Sequence, residues 1–346
     1  MDYCGIDLAG VSSYVYVTDS RGKKLTAGKV ATDKAAFERR LKRFVRGGLS
    51  VAIEAGNQTA WVHDALVEMG AKVTVVNPTK VKMIAESRRK TDKIDAKILC
   101  ELLRIDALPT PVHVPERETR ALRGLLVARR QLISARTKLC NVVRGMLRQE
   151  GTRLPARALS SFAGWRRLLE QGFEHPHLCW VVAAYADSFV ALTDSIREIE
   201  SQLSEYERKD SRAARLKTIP GVGRIAALTF LGAVDDVDRF PSSRKLVGYS
   251  GLAPTVRSSG ERTEYGSISR EGRRELRAVW VQIAHLVAID TSRATRPLRT
   301  WFNKVARRRG RKTATVALAR RLLVIAYHVL REETTYDAAR LKRKAA

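Results

Sequence analysis

Short apolar runs alternate with polar and glycine-rich breaks over the first third of the chain. Tyr3 to Ala9 reads as a buried strand bearing Asp7, Ser13 to Thr18 alternates as a second strand, and Leu25 to Ala31 makes a third after the Asp19 to Gly22 turn. Asp33 is placed to cap a basic amphipathic helix running to about Val45, which Gly47 and Gly48 stop. Ser50 to Ile53 is then a short apolar strand delivering Glu54 at its end, followed by a helix from Thr59 to Met69 that Gly70 closes. Lys72 to Val76 is a further strand, Asn77-Pro78 a turn, and the next helix begins in Lys90-Thr91-Asp92-Lys93-Ile94-Asp95-Ala96 with Thr91 as its cap.

Three strands, helix, strand, helix, strand, helix is the element order of a ribonuclease-H-like α/β domain. In that order Asp7 and Glu54 end neighbouring strands, while Asp92 and Asp95, three residues apart on one helical face, approach from the first turn of a helix. Four carboxylates converging in water repel one another, and divalent cations relieve that repulsion. Two such ions activate a nucleophile and steady the leaving oxygen of a phosphodiester. Each acid taken singly has a plain structural use, in a turn, a helix start or a surface. Gly5-Ile-Asp-Leu-Ala-Gly10 also resembles the first phosphate loop of actin-like sugar kinases, but the second glycine-rich turn and adenosine-binding glycine pair of those enzymes do not follow.

Pro109, Pro111 and Pro115 mark a linker. From Thr119 to Arg148 eight Arg or Lys and no acid are set among Leu and Val at helical spacing, a face that suits phosphate. Residues 151 to 184 are mixed, with Trp165, Phe173 and Trp180 expected in the core. Apolar positions 185, 189, 192, 196, 199, 203 and 206 then alternate spacings of four and three, which suits either a coiled-coil seam between copies or a hairpin with the 119 to 148 helix. Thr218-Ile-Pro-Gly221-Val-Gly223 followed by Arg224 resembles a helix-hairpin-helix, whose tight turn lets backbone N–H groups approach phosphate, or is an ordinary turn between helices. Beyond Tyr249-Ser-Gly-Leu-Ala-Pro254, Ser258 and Ser259 read as polar loop residues. Arg262, Arg270, Arg273 and Arg274 follow them, and the Arg307 to Lys312 run adds charge further on.

The 346 residues contain 64 Lys plus Arg against 36 Asp plus Glu, a formal charge of +28, so a polyanion is the expected partner and nucleic acid the first choice. The longest apolar stretch, Leu276 to Ile289, is interrupted by Arg277, Gln282 and His285 and falls short of the roughly 18 residues that span a bilayer. No secretory signal is visible, and a cytoplasmic location is expected. Cys4, Cys100, Cys140 and Cys179 are far apart and the six histidines scattered, so any metal is expected on oxygen ligands, which favours Mg2+ with Mn2+ as substitute.

Gly5-Ile-Asp7, Ile53-Glu54-Ala55-Gly56, Val76-Asn77-Pro78 and Lys90 to Ala96, in this order and spacing, resemble the DEDD transposases of bacterial insertion sequences. The resemblance spans roughly residues 3 to 337. It implies a RuvC-like domain over 1–108, a basic helical and coiled-coil connector over 109–210, a mostly α C-terminal transposase domain over 211–337 with a helix-hairpin-helix-like element, and a basic tail over 338–346. It implies Asp7, Glu54, Asp92 and Asp95 as a metal-binding tetrad, with Gly10 standing where the family more often has Lys. It implies that the serine before glycine, Ser259, attacks DNA to form a phosphoserine link, with Ser258 adjacent. Arg262, Arg270, Arg273, Arg274 and Lys312, with Gly221 and Gly223, are the expected nucleic-acid contacts. Donor and target DNA, a guide or bridge RNA, and an assembly of two or four copies acting at the prokaryotic nucleoid complete what the family implies. A RuvC-like hydrolytic nuclease or junction resolvase, which would not need the serine, and a non-catalytic nucleic-acid-binding scaffold are the competing readings.

Overall fold

The computed structural model describes residues 1–84, 91–259 and 262–339, and for residues 257–259, 262–263 and 265 the backbone alone. The chain divides into two compact units, Met1–Pro115 and Glu116–Ala346.

The first unit comprises β1 (Asp2–Asp7), β2 (Ser12–Thr18), β3 (Lys24–Ala31), α1 (Lys34–Val45), β4 (Leu49–Glu54), α2 (Thr59–Glu68), β5 (Lys72–Val76), α3 (Pro78–Ile84) and α4 (Asp92–Arg104). The strands form one sheet in the order β3-β2-β1-β4-β5, antiparallel from β1 through β3 and parallel from β1 through β5. A mixed sheet with helices is consistent with the ribonuclease-H-like domain expected from the element order. Asp33 caps α1, its carboxylate accepting from Ala36 N at 2.7 Å, and Thr91 caps α4, its hydroxyl accepting from Ile94 N at 3.3 Å. The short helix α3 was hidden in the expected Asn77-Pro78 turn. Asn77 starts it by accepting from Thr79 N through its side chain, and Pro78 opens it where a missing N–H costs nothing.

The sheet is covered on both faces. Cys4 and Ile6 of β1 face a core built with Phe37 and Leu41 of α1 and Val62 and Leu66 of α2. Gly5, between them, faces α4. A Cβ at Gly5 would lie 2.0 Å from the Ala96 carbonyl oxygen and 2.5 Å from the Cys100 nitrogen, so only glycine allows the helix to lie this close to the strand. The Cys100 thiol bonds to the Tyr3 carbonyl and to Thr18 Oγ1, each at 3.3 Å, fixing the far end of the contact.

The second unit is mostly helical: α5 (Arg117–Gln149), α6 (Phe162–Gln171), α7 (Pro176–Lys209), α8 (Ser211–Lys217), α9 (Arg224–Val234), α10 (Ser243–Ser250), a hairpin of β6 (Pro254–Ser259) and β7 (Arg262–Ile268), then α11 (Arg274–Ile289), α12 (Arg296–Arg309) and α13 (Arg311–Arg331). Of the two arrangements open to the heptad segment, the intramolecular hairpin is present: α7 lies along α5, with Phe189, Ile196 and Leu203 buried. Val182, Ala186 and Thr193 are buried as well, which widens the seam beyond the strict heptad positions. Trp165 is buried beside Phe189, but Trp180, expected in the core, is 76% exposed, because it projects from the first turns of α7 outside that seam.

Two helices, α7 and α13, are long and apolar enough by length and composition to cross a membrane, in place of the Leu276 to Ile289 stretch. Helix α13 instead supplies Leu318, Leu322, Leu323 and Ala326 to the main core, where they pack with Trp280 and Ile283 of α11 and Phe302 of α12. Most of the expected basic tail lies outside the described residues.

Gly5→Ala is expected to destabilise the first unit by about 3 kcal/mol, the upper range for overpacking against rigid neighbours. Gly10→Ala, at a position with no atom within 4 Å of the new methyl, is expected to change stability by less than about 0.5 kcal/mol. Denaturant unfolding of the two variants checks both, and equal midpoints would show that α4 does not rest on β1 in this way.

Candidate functional site

In the first unit the strand register sets out a row across one end of the sheet. Asp7 pairs with Tyr14, and Tyr14 with Lys29. On the other side Ile6 pairs with Ile53 and Glu54 with Val76, so Asp7 and Glu54 follow the paired isoleucines on adjacent parallel strands. Successive side chains in a strand point to opposite faces. Asp7 therefore shares the face of Gly5, and Glu54 the face of Ala52, which packs with Leu99 of α4.

Helix α4 runs back along β1, Cys100 near Tyr3 and Ala96 near Gly5, which brings its first turn, with Asp92 and Asp95, to the same end. Asp92 reaches the Lys29 ammonium at 3.9 Å, an exposed pair that adds little stability but marks how far along the row the helix start extends. Two loops flank the row and are tied together by Gln58 Nε2 donating to the Gly10 carbonyl at 3.0 Å. Thr59 Oγ1 donates to the Glu54 carbonyl at 2.9 Å and accepts from Gly56 N at 2.6 Å, which fixes the backbone just after the acid.

Among the described residues no three His, Cys, Asp or Glu side chains are gathered closely enough to hold a metal ion. The four acids share one face at one end of the sheet without closing into a cage. Their donor chemistry is oxygen only, which fits a hard cation of the Mg2+ or Mn2+ kind. Lys90, at the edge of the motif, lies outside the described residues.

In the second unit Ser258 and Ser259 are not in a loop. Ser258 pairs with Thr263 and Ser259 with Arg262 at the tip of the β6-β7 hairpin. Small polar residues obscured the strand in the sequence, and its partner strand supplies the pairing that propensity does not. The side chains of Ser258, Ser259 and Arg262 lie outside the described atoms. The hairpin springs from a tight crossing at its base. Gly251 (φ 71°) and Gly272 (φ 97°) both adopt the left-handed region, and a Cβ on either would meet a backbone carbonyl, Glu271 at 2.2 Å or Tyr249 at 2.1 Å. Arg270 between them also has positive φ (59°), and its carbonyl accepts from Arg277 Nη1 at 3.0 Å.

The expected nucleic-acid contacts divide into two groups. Arg270, Arg274 and Lys312 are exposed, as is Gly223, which opens α9 with no atom near its Cβ position. Gly221 is constrained by packing: a Cβ there would lie 2.9 Å from Val287 and 3.1 Å from Ile283 of α11. Arg273 is partly committed, its Nε donating to the Tyr249 hydroxyl at 3.0 Å.

Tyr249 belongs to a cluster that the sequence reading missed. Its hydroxyl donates to the Ala233 carbonyl at 3.1 Å, Arg123 donates to the carbonyls of Gly232 and Ala233, and Arg239 Nε donates to the Val234 carbonyl at 2.8 Å. These are the last carbonyls of α9, at the negative end of its dipole, so the arginines cap a helix. Burial pushes the Tyr249 phenol up, but the positive charges of Arg273, Arg239 and Arg123 outweigh it and hold the phenol below its ordinary range. Burial pushes the Arg123 guanidinium down, with Arg273 and Arg239 adding to the effect. The basic face of α5 is likewise partly turned inward. Arg129 pairs with Glu200 at 2.6 Å, Arg130 with Glu275 at 3.3 Å, and Arg136 Nη1 donates to Thr193 at 3.3 Å. Leu122, Leu125 and Leu126, on either side of Arg123, are the sequence signal that this part of the helix faces the core.

The profile of a DEDD-type IS110 transposase family matches residues 4–151, and that of the transposase IS116/IS110/IS902 family matches residues 213–299. The pilin gene-inverting protein of Moraxella bovis is 30% identical, the alignment covering 77% of this chain and 74% of that protein. The transposase for insertion sequence element IS1328 of Yersinia enterocolitica is 27% identical over 96% of this chain and 98% of its own length. A probable family 20 transposase of Pseudomonas aeruginosa is 29% identical over 83% and 85%.

The arginines around Tyr249 give it a distinct alkaline behaviour. The folded state prefers the phenolate relative to the unfolded chain, so the stability Tyr249 confers over Tyr249→Phe is expected to grow as pH rises through its lowered pKa. It is complete above the ordinary phenol range and lost as pH falls back. An ultraviolet titration should show an early-ionising tyrosine that Tyr249→Phe removes, and identical curves for the two proteins would refute the cluster's electrostatics.

Proposed function

The chain belongs to the IS116/IS110/IS902 family of transposases, and from that premise we propose that it cuts and rejoins DNA through a covalent serine intermediate. The observation that best supports this reading is the order of the two matches. A DEDD-type profile lies over the unit that bears Asp7 and Glu54 on its strands and Asp92 and Asp95 at the start of α4, and the family's second profile lies over the hairpin whose first strand ends in Ser259.

In this proposal the Ser259 hydroxyl oxygen attacks phosphorus. The Oγ–P bond forms as the P–O bond to one deoxyribose breaks, the serine proton passes to solvent, and the leaving sugar oxygen takes up a proton. Reversal with a different sugar hydroxyl rejoins the strand, so no bond energy is lost to hydrolysis. A serine hydroxyl is a poor nucleophile at neutral pH and needs activation. Asp7, Glu54, Asp92 and Asp95 would hold the divalent cations, Mg2+ or Mn2+, whose charge lowers the pKa of a bound hydroxyl and stabilises a leaving oxygen. Gln58 and Thr59 hold the two loops beside that row in place.

Because the acids and the serine belong to different units, the reaction requires them to be brought together in one chain or between copies, and the proposal includes the assembly of two or four copies that the family implies. Arg270, Arg274 and Lys312, exposed on the second unit, are the proposed phosphate contacts, with Gly223 offering backbone N–H. An RNA guide fits the same scheme, because a duplex read through its backbone requires distributed cations and no base-specific contacts.

The test is the protein expressed with its own flanking element DNA and purified under denaturing conditions, with peptides searched by mass for a nucleotide adduct. An adduct on Ser259 is expected, absent from Ser259→Ala and from Asp92→Asn, with strand exchange down about a thousandfold or more in each. Breaks that persist in Ser259→Ala would instead make the protein a hydrolytic nuclease. Neither adduct nor protein-dependent breaks in the wild type would leave it a nucleic-acid-binding scaffold.

A further inference from the structure

A cavity of 1070 Å³ in the second unit lies among α10, α12, α13 and the base of the hairpin. Ala253, Pro254 and Val256 form its hairpin side, so the strand that ends in Ser259 is also a wall of this cavity. From α12 and α13 come Trp301, Arg321 and Val324. The Arg321 guanidinium stands over the Trp301 indole at 4.7 Å, giving a flat, cationic and apolar surface of the kind on which nucleobases stack.

Tyr336 also lines the cavity, and its hydroxyl is buried without a hydrogen-bond partner among the described residues. A buried hydroxyl left this way is costly, and a ligand with a polar edge removes the cost. Arg244 and Arg320 add positive charge to the lining. The acids there are already engaged, Glu332 by His328 at 3.1 Å and Asp337 by the Ala339 N–H at 2.8 Å. An occupant with a flat π-face, hydrogen-bonding edges and a phosphate matches the Arg321–Trp301 pair, the Tyr336 hydroxyl and the Arg244 and Arg320 charges.

We propose that this cavity receives an unpaired nucleobase of the bound DNA, stacked against Trp301 and Arg321, hydrogen-bonded to Tyr336 and followed outward by a phosphate at Arg320. The inference rests on the DNA-acting function proposed above. It adds a place where a strand is held by a base as well as by its backbone. Val256 and Ser259 are three residues apart on one strand, about 10 Å at the rise of an extended chain, so the captured base comes from close to the phosphate at the serine. Such capture would hold a strand end in register while its partner is exchanged.

Full-length protein is titrated into a fluorescent single-stranded oligothymidylate and, separately, into an abasic strand of the same length, at one salt concentration. Wild type is expected to bind the base-bearing strand more tightly. Trp301→Ala should weaken that strand about tenfold and Tyr336→Phe about threefold, with the abasic strand unchanged in both. Tyr336→Phe removes a single unpartnered atom and leaves the fold in place, so it decides the matter if Trp301→Ala is unstable. Equal weakening of both strands, or no change in either, overturns base capture while leaving the DNA-acting function standing. Failure of the wild type to bind either strand also overturns base capture, while the DNA-acting function stands or falls by the serine adduct.

Discussion

The first unit turns on a single close approach, the backbone of α4 laid against β1 at Gly5. Everything that gives the carboxylate row its meaning follows from it. With a side chain at that position the helix would stand off the sheet, its first turn would leave the end of β1, and Asp92 and Asp95 would no longer share a region with Asp7 and Glu54. The Cys100 bonds to Tyr3 and Thr18 hold the same helix at its other end, so the contact is pinned along its length and has little freedom to slide. A site for a strongly charged ligand needs this rigidity, because carboxylates free to move apart relieve their repulsion without any cation.

The second unit uses backbone proximity in a different way. Gly251 and Gly272 bring the end of α10 and the start of α11 within van der Waals limits of one another, and the hairpin rises from that crossing. The cluster of Arg123, Arg239, Arg273 and Tyr249 lies directly beneath, fastened to the carbonyl end of α9. Thus the hairpin stands on a base in which both backbone and charge are constrained.

Much of the first unit was legible in the sequence because its signals are local. Alternation gave the strands, and Asp33 and Thr91 marked helix starts whose caps are present. Helix α3 was missed because a proline after asparagine reads equally as a turn or a helix start. The β6-β7 hairpin was missed because Thr255, Ser258 and Ser259 in β6 and Thr263, Glu264, Gly266 and Ser267 in β7 carry little apolar alternation. The four acids were named from motif and topology, and the strand register with the lie of α4 sets them at one end of the sheet, but how tightly they gather depends on packing that no spacing rule encodes. The arginine cluster lay beyond reach for a related reason: Arg123, Arg239 and Arg273 come from three separate elements, and only the fold brings them to one helix end.

That inward use of arginine changes what the formal charge of +28 means. Arg123 and Arg239 satisfy helix carbonyls, Arg129 and Arg130 neutralise glutamates of the same unit, and Arg212 is held by Asp210. None of these displaces a counterion from a polyanion while so engaged. The salt sensitivity of nucleic-acid binding follows the number of phosphates neutralised, each contributing about 0.9 to the slope for duplex DNA, and not the net charge of the protein. The net charge of this chain therefore overstates how many of its cations stand free to meet a phosphate, because several arginines serve as internal scaffolding.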